Sequence, residues 1–484
     1  LLVAPTGRAA KQVARVTGLA ASTIHRLLGL TAEVTAADLV SQDVPELEGK
    51  LLIVDEMSMT DLALFATLIR AVGPATRVVL VGDFDQLPSV GPGQVFRDLL
   101  AAAELPQIRL TKIHRQAADS SLIPLAQKIN AGEVSPALFA PADPNRYPHR
   151  RFFHATLPQV ATVITQAVQL YHDRHGLSLM DIEILAPVHA GLAGTQNLNA
   201  HLQAALNPEA ADKPEVVLAA SQRVFRVGDK VMQTVNDPDR DVFNGDLGII
   251  QSIEGTNARH TNRESKAALK VIVDFDGTEV EYTRPQDVGA LQLAYCMTIH
   301  KSQGSQAPVV ILPMVEDYFP RNPAAPTIMR RNLLYTAVTR AARALMLVGD
   351  PTAFVRCAAT ATNYRQTTLT ERIEEAFGKG AGEQSEPRPA KRTAAKPSPQ
   401  PAKPAPVTEN PTAGEDSKGD PNLTTGADPL PFDKSRPQPA KPAADPSPVP
   451  TPAPATDQGL TPELAASGMI DPLIGMEGVA PSDF

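Results

Sequence analysis

Short runs of consecutive apolar residues that stop at an acid recur along this chain. Leu51–Val54 is followed by Asp55 and Glu56, Arg77–Val81 by Gly82 and Asp83, and Ala344–Val348 by Gly349 and Asp350. Such runs predict strands buried on both faces, as in a parallel sheet. Leu1–Pro5, Asp181–Pro187 and Val309–Met314 read the same way. Between them lie stretches of helical spacing. Leu62, Phe65, Leu68, Ile69 and Val72 share one face of a helix that Thr60 can cap. Further helices are expected over Ala9–Leu19, Asp119–Gly132, Leu157–His175, Thr195–Leu206 and Arg330–Arg343. Parallel strands therefore fall in two blocks, about 1–110 and 180–350.

The pattern changes between about Val216 and Ala290. Val271, Val273 and Phe275 alternate with polar residues, Asp276-Gly277 turns, and Val280 and Tyr282 alternate again. That is a hairpin signature, and several such strands within about 70 residues predict a small β-barrel inserted in the α/β framework. Gly255–Lys266 would be an exposed loop of it. After about Gly378 the texture changes once more. The last stretch holds about half of the 45 prolines and cannot bury enough apolar surface to order itself. Within it, Leu460–Val479 forms an apolar island. It is a candidate partner-binding motif or a terminal helix docking on its own protein.

Composition narrows the class. At 484 residues the chain needs more than one core. Cys296 and Cys357 make no metal spacing and no disulfide framework, which suits a reducing cytoplasm. No run approaches a membrane span and no signal peptide is visible. The net charge of −8 excludes a polycation, but not a locally basic groove for nucleic acid. The chain opens on Leu1-Leu2-Val3-Ala4-Pro5, as if in the middle of a buried strand, so an N-terminal part is expected to be missing.

The candidate chemistry sits at strand tips. In open α/β sheets ligands bind beyond the carboxyl ends of the strands. Asp55 could hold Mg²⁺ near a nucleotide's phosphates, and Glu56 could deprotonate an attacking water. Alternatively both acids simply open the helix after them. Gln86 follows a second tip, where a neutral amide could sense a γ-phosphate. Thr6-Gly7-Arg8 at a strand-to-helix turn suits phosphate contacts, or is an ordinary turn. Ser22–Leu28 offers Thr23, His25 and Arg26. Arg115 is the notable residue of Leu110–Gln116, or a solvated surface group.

Taken in order, these motifs resemble those of a superfamily 1 helicase of class B, closest to the RecD-like DNA helicases (exonuclease V alpha-subunit family), over about 1–375. Ala4–Ala10 resembles motif Ia, Ser22–Leu28 motif Ib, Ile53–Met59 motif II, Val81–Gly93 motif III, Leu110–Gln116 motif IV, Thr298–Gly304 motif V and Leu333–Ala341 motif VI. The resemblance implies an α/β fold: two RecA-like P-loop NTPase motor domains with parallel sheets, an inserted small SH3-like β-barrel and a disordered C-terminal tail. Motor domain 1A would be 1–115, with a short 1B insertion at about 29–49. Motor domain 2A would be 116–215 and 290–377, the barrel 216–289, and the Pro/Ala-rich tail 378–484 with a short motif at 460–484.

The resemblance further implies ATP and Mg²⁺ as cofactors, with single-stranded and duplex DNA as partners. A protein partner through the tail is a further expectation, and a membrane is not. Asp55 would ligate Mg²⁺ through water and Glu56 would be the catalytic base. Gln86 would contact the γ-phosphate, Arg115 and Arg340 would be arginine fingers, and Gly304 would lie at the nucleotide. Pro5, Thr6, Arg8, Thr23, His25, Thr298, His300 and Lys301 would lie along the DNA. The implied activity is ATP-dependent 5′ to 3′ DNA unwinding in repair or recombination, in the bacterial cytoplasm. An RNA helicase, the helicase half of a conjugative relaxase, and a scaffold that binds nucleic acid without hydrolysis are the alternatives. Two departures stand out. No GxxxxGK[ST] loop occurs, so these residues as they stand are expected not to hydrolyse ATP. Gln306 stands where the family often has an acid that reaches the nucleotide's sugar.

Overall fold

The computed structural model describes residues 1–30, 39, 43–110, 120–139, 149–218, 221–255, 269–322 and 325–378. Arg115, most of the expected insertion at 29–49, nearly all of the polar loop after Gly255 and the tail beyond 378 lie outside the described residues.

The first lobe carries β1 (Leu2–Ala4), α1 (Gly7–Thr17), β2 (Ser22–Thr23), α2 (Ile24–Leu27), β3 (Leu51–Val54), α3 (Leu62–Ala71), β4 (Arg77–Leu80) and α4 (Val95–Ala101). Its four strands are all parallel, in the order β2-β1-β3-β4. β3 was expected to be buried on both faces, and it is not. Leu52 and Val54 are buried against Leu64 and Leu68 of α3, whereas Leu51 is 42% exposed and Val79 of neighbouring β4 is 44% exposed. At β3 the core closes over the Leu52 and Val54 face, whereas α1 packs on the other face beside Ala4 of β1, so this apolar run became an alternating strand. The cap of α3 also differs. Asp61, not Thr60, accepts from the Leu64 N–H at 2.9 Å, because Thr60 still belongs to the 3₁₀ turn Met57–Met59.

The second lobe begins with α5 (Leu122–Ala131) and continues with β5 (Arg150–His154), α6 (Val160–His175), β6 (Ile182–Ala186) and α7 (Thr195–Leu206). After the inserted β unit come β14 (Cys296–Thr298), β15 (Ala307–Met314), α8 (Arg331–Val338), β16 (Ala341–Gly349), α9 (Pro351–Ala359) and α10 (Leu369–Ala376). The sheet is parallel throughout, in the order β14-β6-β15-β16-β5, with an apolar cluster on each face. β6 is buried at every position, and β5 is an edge strand. The helix expected over Arg330–Arg343 stops at Val338. Ala341 onwards joins the ladder between β15 and β5, and those shared hydrogen bonds outweigh the helical preference of Ala341-Ala342-Arg343-Ala344.

The inserted unit holds the hairpin β7 (Glu215–Leu218) and β8 (Arg223–Arg226) with β9 (Lys230–Gln233), β10 (Leu247–Glu254), β11 (Lys270–Phe275), β12 (Thr278–Tyr282) and β13 (Leu291–Leu293). The last five form an antiparallel sheet, β12-β11-β10-β9-β13. The expected Asp276-Gly277 turn joins β11 to β12, with φ 54° and 89° at its two residues and Phe275 opposite Thr278. Both positive φ values suit the twist of a two-residue hairpin. No helix among the described residues is long and apolar enough to cross a membrane.

Candidate functional site

Backbone geometry sets the tip of β3. The Asp55 N–H donates to Val3 O and the Met57 N–H to Val81 O, both at 2.9 Å, so the chain is held between β1 and β4 as the strand ends. Glu56 is forced into the left-handed region, φ 51° and ψ 39°, and its N–H donates to Asp55 Oδ1 at 2.9 Å. A residue with a side chain costs on the order of 1 kcal/mol there. Glu56 makes no side-chain cap to the 3₁₀ turn that follows, and the capping acid of α3 is Asp61. The two acids at the tip therefore do not serve as helix openers.

A cavity of about 420 Å³ lies in front of this tip. Asp55, Glu56, Asp83 and Gln86 line it from the first lobe, and Gln127, Asn130, Tyr335 and Thr339 from the second. The segment after β4 is held across the lobes. Tyr335 donates to Asp83 Oδ2 at 3.1 Å, Asn130 to Asp85 Oδ2 at 2.6 Å, and Arg340 to Gln86 Oε1 at 3.0 Å. The Leu87 N–H donates to Thr336 Oγ1 at 2.9 Å, and Leu87 O accepts from Gln303 at 2.9 Å. Burial pushes the Asp85 carboxyl above its ordinary range, and the Asn130 hydrogen bond works against that shift. No cluster of three or more His, Cys, Asp or Glu able to cage a metal occurs among the described residues. One strand-tip carboxylate fits Mg²⁺, which keeps most of its waters and leans on phosphate oxygens.

The expected nucleic-acid residues gather on turns of one kind. Thr6 caps α1 by accepting from the Ala9 N–H at 3.3 Å, just after Pro5. Thr23 caps α2 by accepting from the Arg26 N–H at 3.1 Å, and Thr298 accepts from the Lys301 N–H at 3.3 Å. Each threonine spends a lone pair on its cap, and its O–H proton takes no part in that bond. Gly304 has φ 76°, and a Cβ there would meet Ala9 Cβ at 3.2 Å, so the turn after β14 abuts the start of α1. Gly304 is not among the cavity residues. Burial pushes His25 and His300 below the ordinary histidine value, and His189 adds to the effect at His300. Desolvation also lowers Lys301, which donates to Asn244 Oδ1 at 3.0 Å.

Two expected cations are already engaged. Arg8 donates to Glu183 Oε1 at 2.7 Å, and Glu183, buried on β6, also accepts from Ser305 at 3.3 Å. Arg340 is 1% exposed and donates to Ser305 O at 2.9 Å and Thr336 O at 3.3 Å as well as to Gln86. The structure thus brings Asp55, Glu56 and Gln86 to one cleft, and links Arg340 to it through Gln86. Thr6, Arg8, Thr298 and Gly304 gather where α1 meets the turn after β14. Asn130, Tyr335, Gln303 and Glu183 were missed by sequence reasoning. Only Asp83 carried a signal, an acid at a strand tip.

Residues 1–147 match a family model described as an AAA domain, 198–275 the SH3 domain of ATP-dependent RecD-like DNA helicases, and 293–348 the UvrD-like helicase C-terminal domain. The chain is 36% identical over 372 residues to the ATP-dependent RecD2 DNA helicase of Deinococcus radiodurans, covering 77% of this chain and 46% of that protein. It is 31% identical over 401 residues to the RecBCD enzyme subunit RecD of Mycolicibacterium smegmatis, covering 78% of this chain and 66% of that one. It therefore spans about half to two thirds of the length of these relatives. Among solved structures, the Pif1 helicase from Bacteroides in complex with ADP-AlF3 and ssDNA aligns over 78% of this chain and 88% of that chain, at 20% identity and a TM-score of 0.41.

Proposed function

The chain belongs to the RecD-like helicases of superfamily 1, and on that premise we propose that it is the motor part of an ATP-dependent DNA helicase. It moves 5′ to 3′ along single-stranded DNA and opens duplex ahead of it, in DNA repair or recombination in the cytoplasm. One observation carries this reading. The Asp83–Leu87 segment beside the Asp55–Glu56 tip accepts hydrogen bonds from Asn130, Gln303, Tyr335 and Arg340 of the other lobe and donates one to Thr336.

The chemistry follows from the residue types. Glu56 takes the proton of a water attacking the γ-phosphate, and Gln86 reports the presence of that phosphate. Arg340, together with Arg115, supplies positive charge as the phosphoryl group transfers. Mg²⁺, when held by Asp55 through water, would neutralise charge on the β- and γ-oxygens. Because Gln86 is bonded to Arg340, a change at the γ-phosphate alters the contact between lobes. Lobe closure then becomes a step along the strand gripped by Thr6, Thr23, His25, Thr298, His300 and Lys301. Residues 1–484 contain no phosphate-cradling loop, and alone they are proposed to be inactive toward ATP.

The test is strand displacement by the intact protein, on duplexes bearing either a 5′ or a 3′ single-stranded tail. The expected result is opening of the 5′-tailed duplex only, abolished by Glu56→Gln. Opening of only the 3′-tailed duplex overturns the direction. DNA binding without opening or hydrolysis, in a protein that carries a phosphate loop, favours a scaffold.

A further inference from the structure

After α9 the chain leaves the second lobe and crosses to the first, where α10 packs on α4 and Leu369 joins the first-lobe core. This crossing lies beyond the 293–348 family match. Its central residue is Arg365. The guanidinium donates to Ser89 O at 2.7 Å, to Gly93 O at 2.6 Å, and to Gly91 O. The Arg365 N–H donates to Gln94 Oε1 at 3.1 Å, and Gln94 returns a bond to Arg365 O at 3.0 Å. Two residues further on, Thr367 donates to Asp98 Oδ2 at 2.6 Å.

Three carbonyl oxygens converging on one point repel one another unless a cation with several donors sits between them. A planar guanidinium meets that need, and an ammonium does so only in part. The folded form of Ser89–Gly93 therefore depends on Arg365. On its outer side this loop rests on α3: the Leu62 N–H donates to Pro92 O at 2.9 Å, and a Cβ on Gly93 would lie 2.9 Å from Leu62 Cβ. Upstream, Leu87 is held at both its N–H and its carbonyl by Thr336 and Gln303 of the second lobe. Gln303 is two residues beyond Lys301. Pro88 joins the two held points, and its fixed φ leaves little slack.

We propose that Arg365 is a positioning residue for the γ-phosphate-sensing segment. It anchors the exit of the loop, so that a shift of the Thr298–Lys301 turn, passed on through Gln303 and Leu87, moves Gln86 and is not absorbed by Ser89–Gly93. This rests on the helicase reading above.

The experiment compares wild type, Arg365→Ala, Arg365→Lys and Thr367→Val in the intact protein, the chain with all coding sequence in frame with it. Two readouts are taken: ATP turnover with and without oligo(dT), and hydrogen exchange of the Leu87–Gln94 amides without nucleotide. Arg365→Ala is expected to lower the stimulation of turnover by oligo(dT) about tenfold, leave turnover without DNA and the KM for ATP within about twofold, and speed exchange across Leu87–Gln94. Arg365→Lys restores part of the stimulation. Thr367→Val, which touches the same crossing but not the loop, keeps all of it. Equal loss of turnover with and without DNA would mark Arg365 as a structural brace and overturn the proposal. So would unchanged stimulation. If wild type shows no DNA-dependent turnover, the helicase reading fails, and exchange decides alone: unchanged protection in Arg365→Ala removes the positioning role.

Discussion

Arg340 Nη2 donates to Gln86 Oε1 at 3.0 Å, although 254 residues separate the two in sequence. Both side chains are buried, and Gln86 lines the cleft between the lobes. The other partners of Arg340, Ser305 O and Thr336 O, are likewise far from Gln86 along the chain. Arg340, expected as an arginine finger, also ties the two lobes together in this structure.

Removing that tie leaves buried acceptors without their donor. Arg340→Ala is expected to lower unfolding free energy by about 3 kcal/mol. Arg340→Lys, which keeps charge but loses the planar fork, is expected to lie between the variant and wild type. Urea denaturation of the three proteins at pH 7.5 measures both, and an Arg340→Ala midpoint equal to wild type contradicts the argument.

Arg8 and Glu183 form a second tie between the lobes, with the carboxylate almost wholly buried. Taking away one partner strands a charge. Arg8→Ala should cost about 3 kcal/mol, whereas Arg8→Ala with Glu183→Gln, which leaves no charge behind, should recover at least half of that loss. A double-mutant cycle in urea gives the coupling. Additive losses would show that the pair is not an energetic unit.

Lys230 is fully buried on β9, its Nζ donating to Leu179 O at 2.7 Å and Ile182 O at 2.9 Å. Burial pushes its pKa down from 10.5 to about 8. A folded-state value below the unfolded one means that the unfolded chain binds more protons between those limits, so stability rises with pH there. The full penalty applies below about pH 8 and is relieved as pH climbs toward 10.5. Wild type should therefore gain about 2 kcal/mol relative to Lys230→Met between pH 7.5 and 10. A constant difference between the two denaturation curves would refute the assignment.

Among the described residues, the Asp241–Asp246 loop of the inserted β unit docks on the first lobe. Phe243 lies so close to Gly7 that a Cβ there would sit 2.6 Å from its Cβ and Cγ. Lys11 pairs with Asp246 at 2.6 Å, and Arg26 approaches Asp241 at 3.6 Å. The obstruction at Gly7 is the root of an aromatic side chain, which cannot swing aside. Gly7→Ala is expected to cost about 1–3 kcal/mol and to raise hydrogen exchange in Asn236–Asp246. A variant with wild-type stability and exchange would mean that the loop yields without cost.

The chain's local order was legible in its residues. Strand runs ending in acids and the Asp276-Gly277 hairpin follow from period and turn chemistry, which act within a few positions. Asp55, Glu56 and Gln86 could be singled out because strand tips are where such sheets bind ligands. Tertiary structure decided which groups those residues meet. Tyr335 on Asp83, Asn130 on Asp85, Glu183 on Arg8 and Arg365 on three loop carbonyls join positions up to 276 residues apart. Nothing in the spacing of a lone Tyr or Arg marks its partner, and a backbone carbonyl has no letter in a sequence. The half-exposed β3 and the shortened helix before β16 have the same cause: burial and ladder bonding depend on which neighbours arrive, and distant segments supply them.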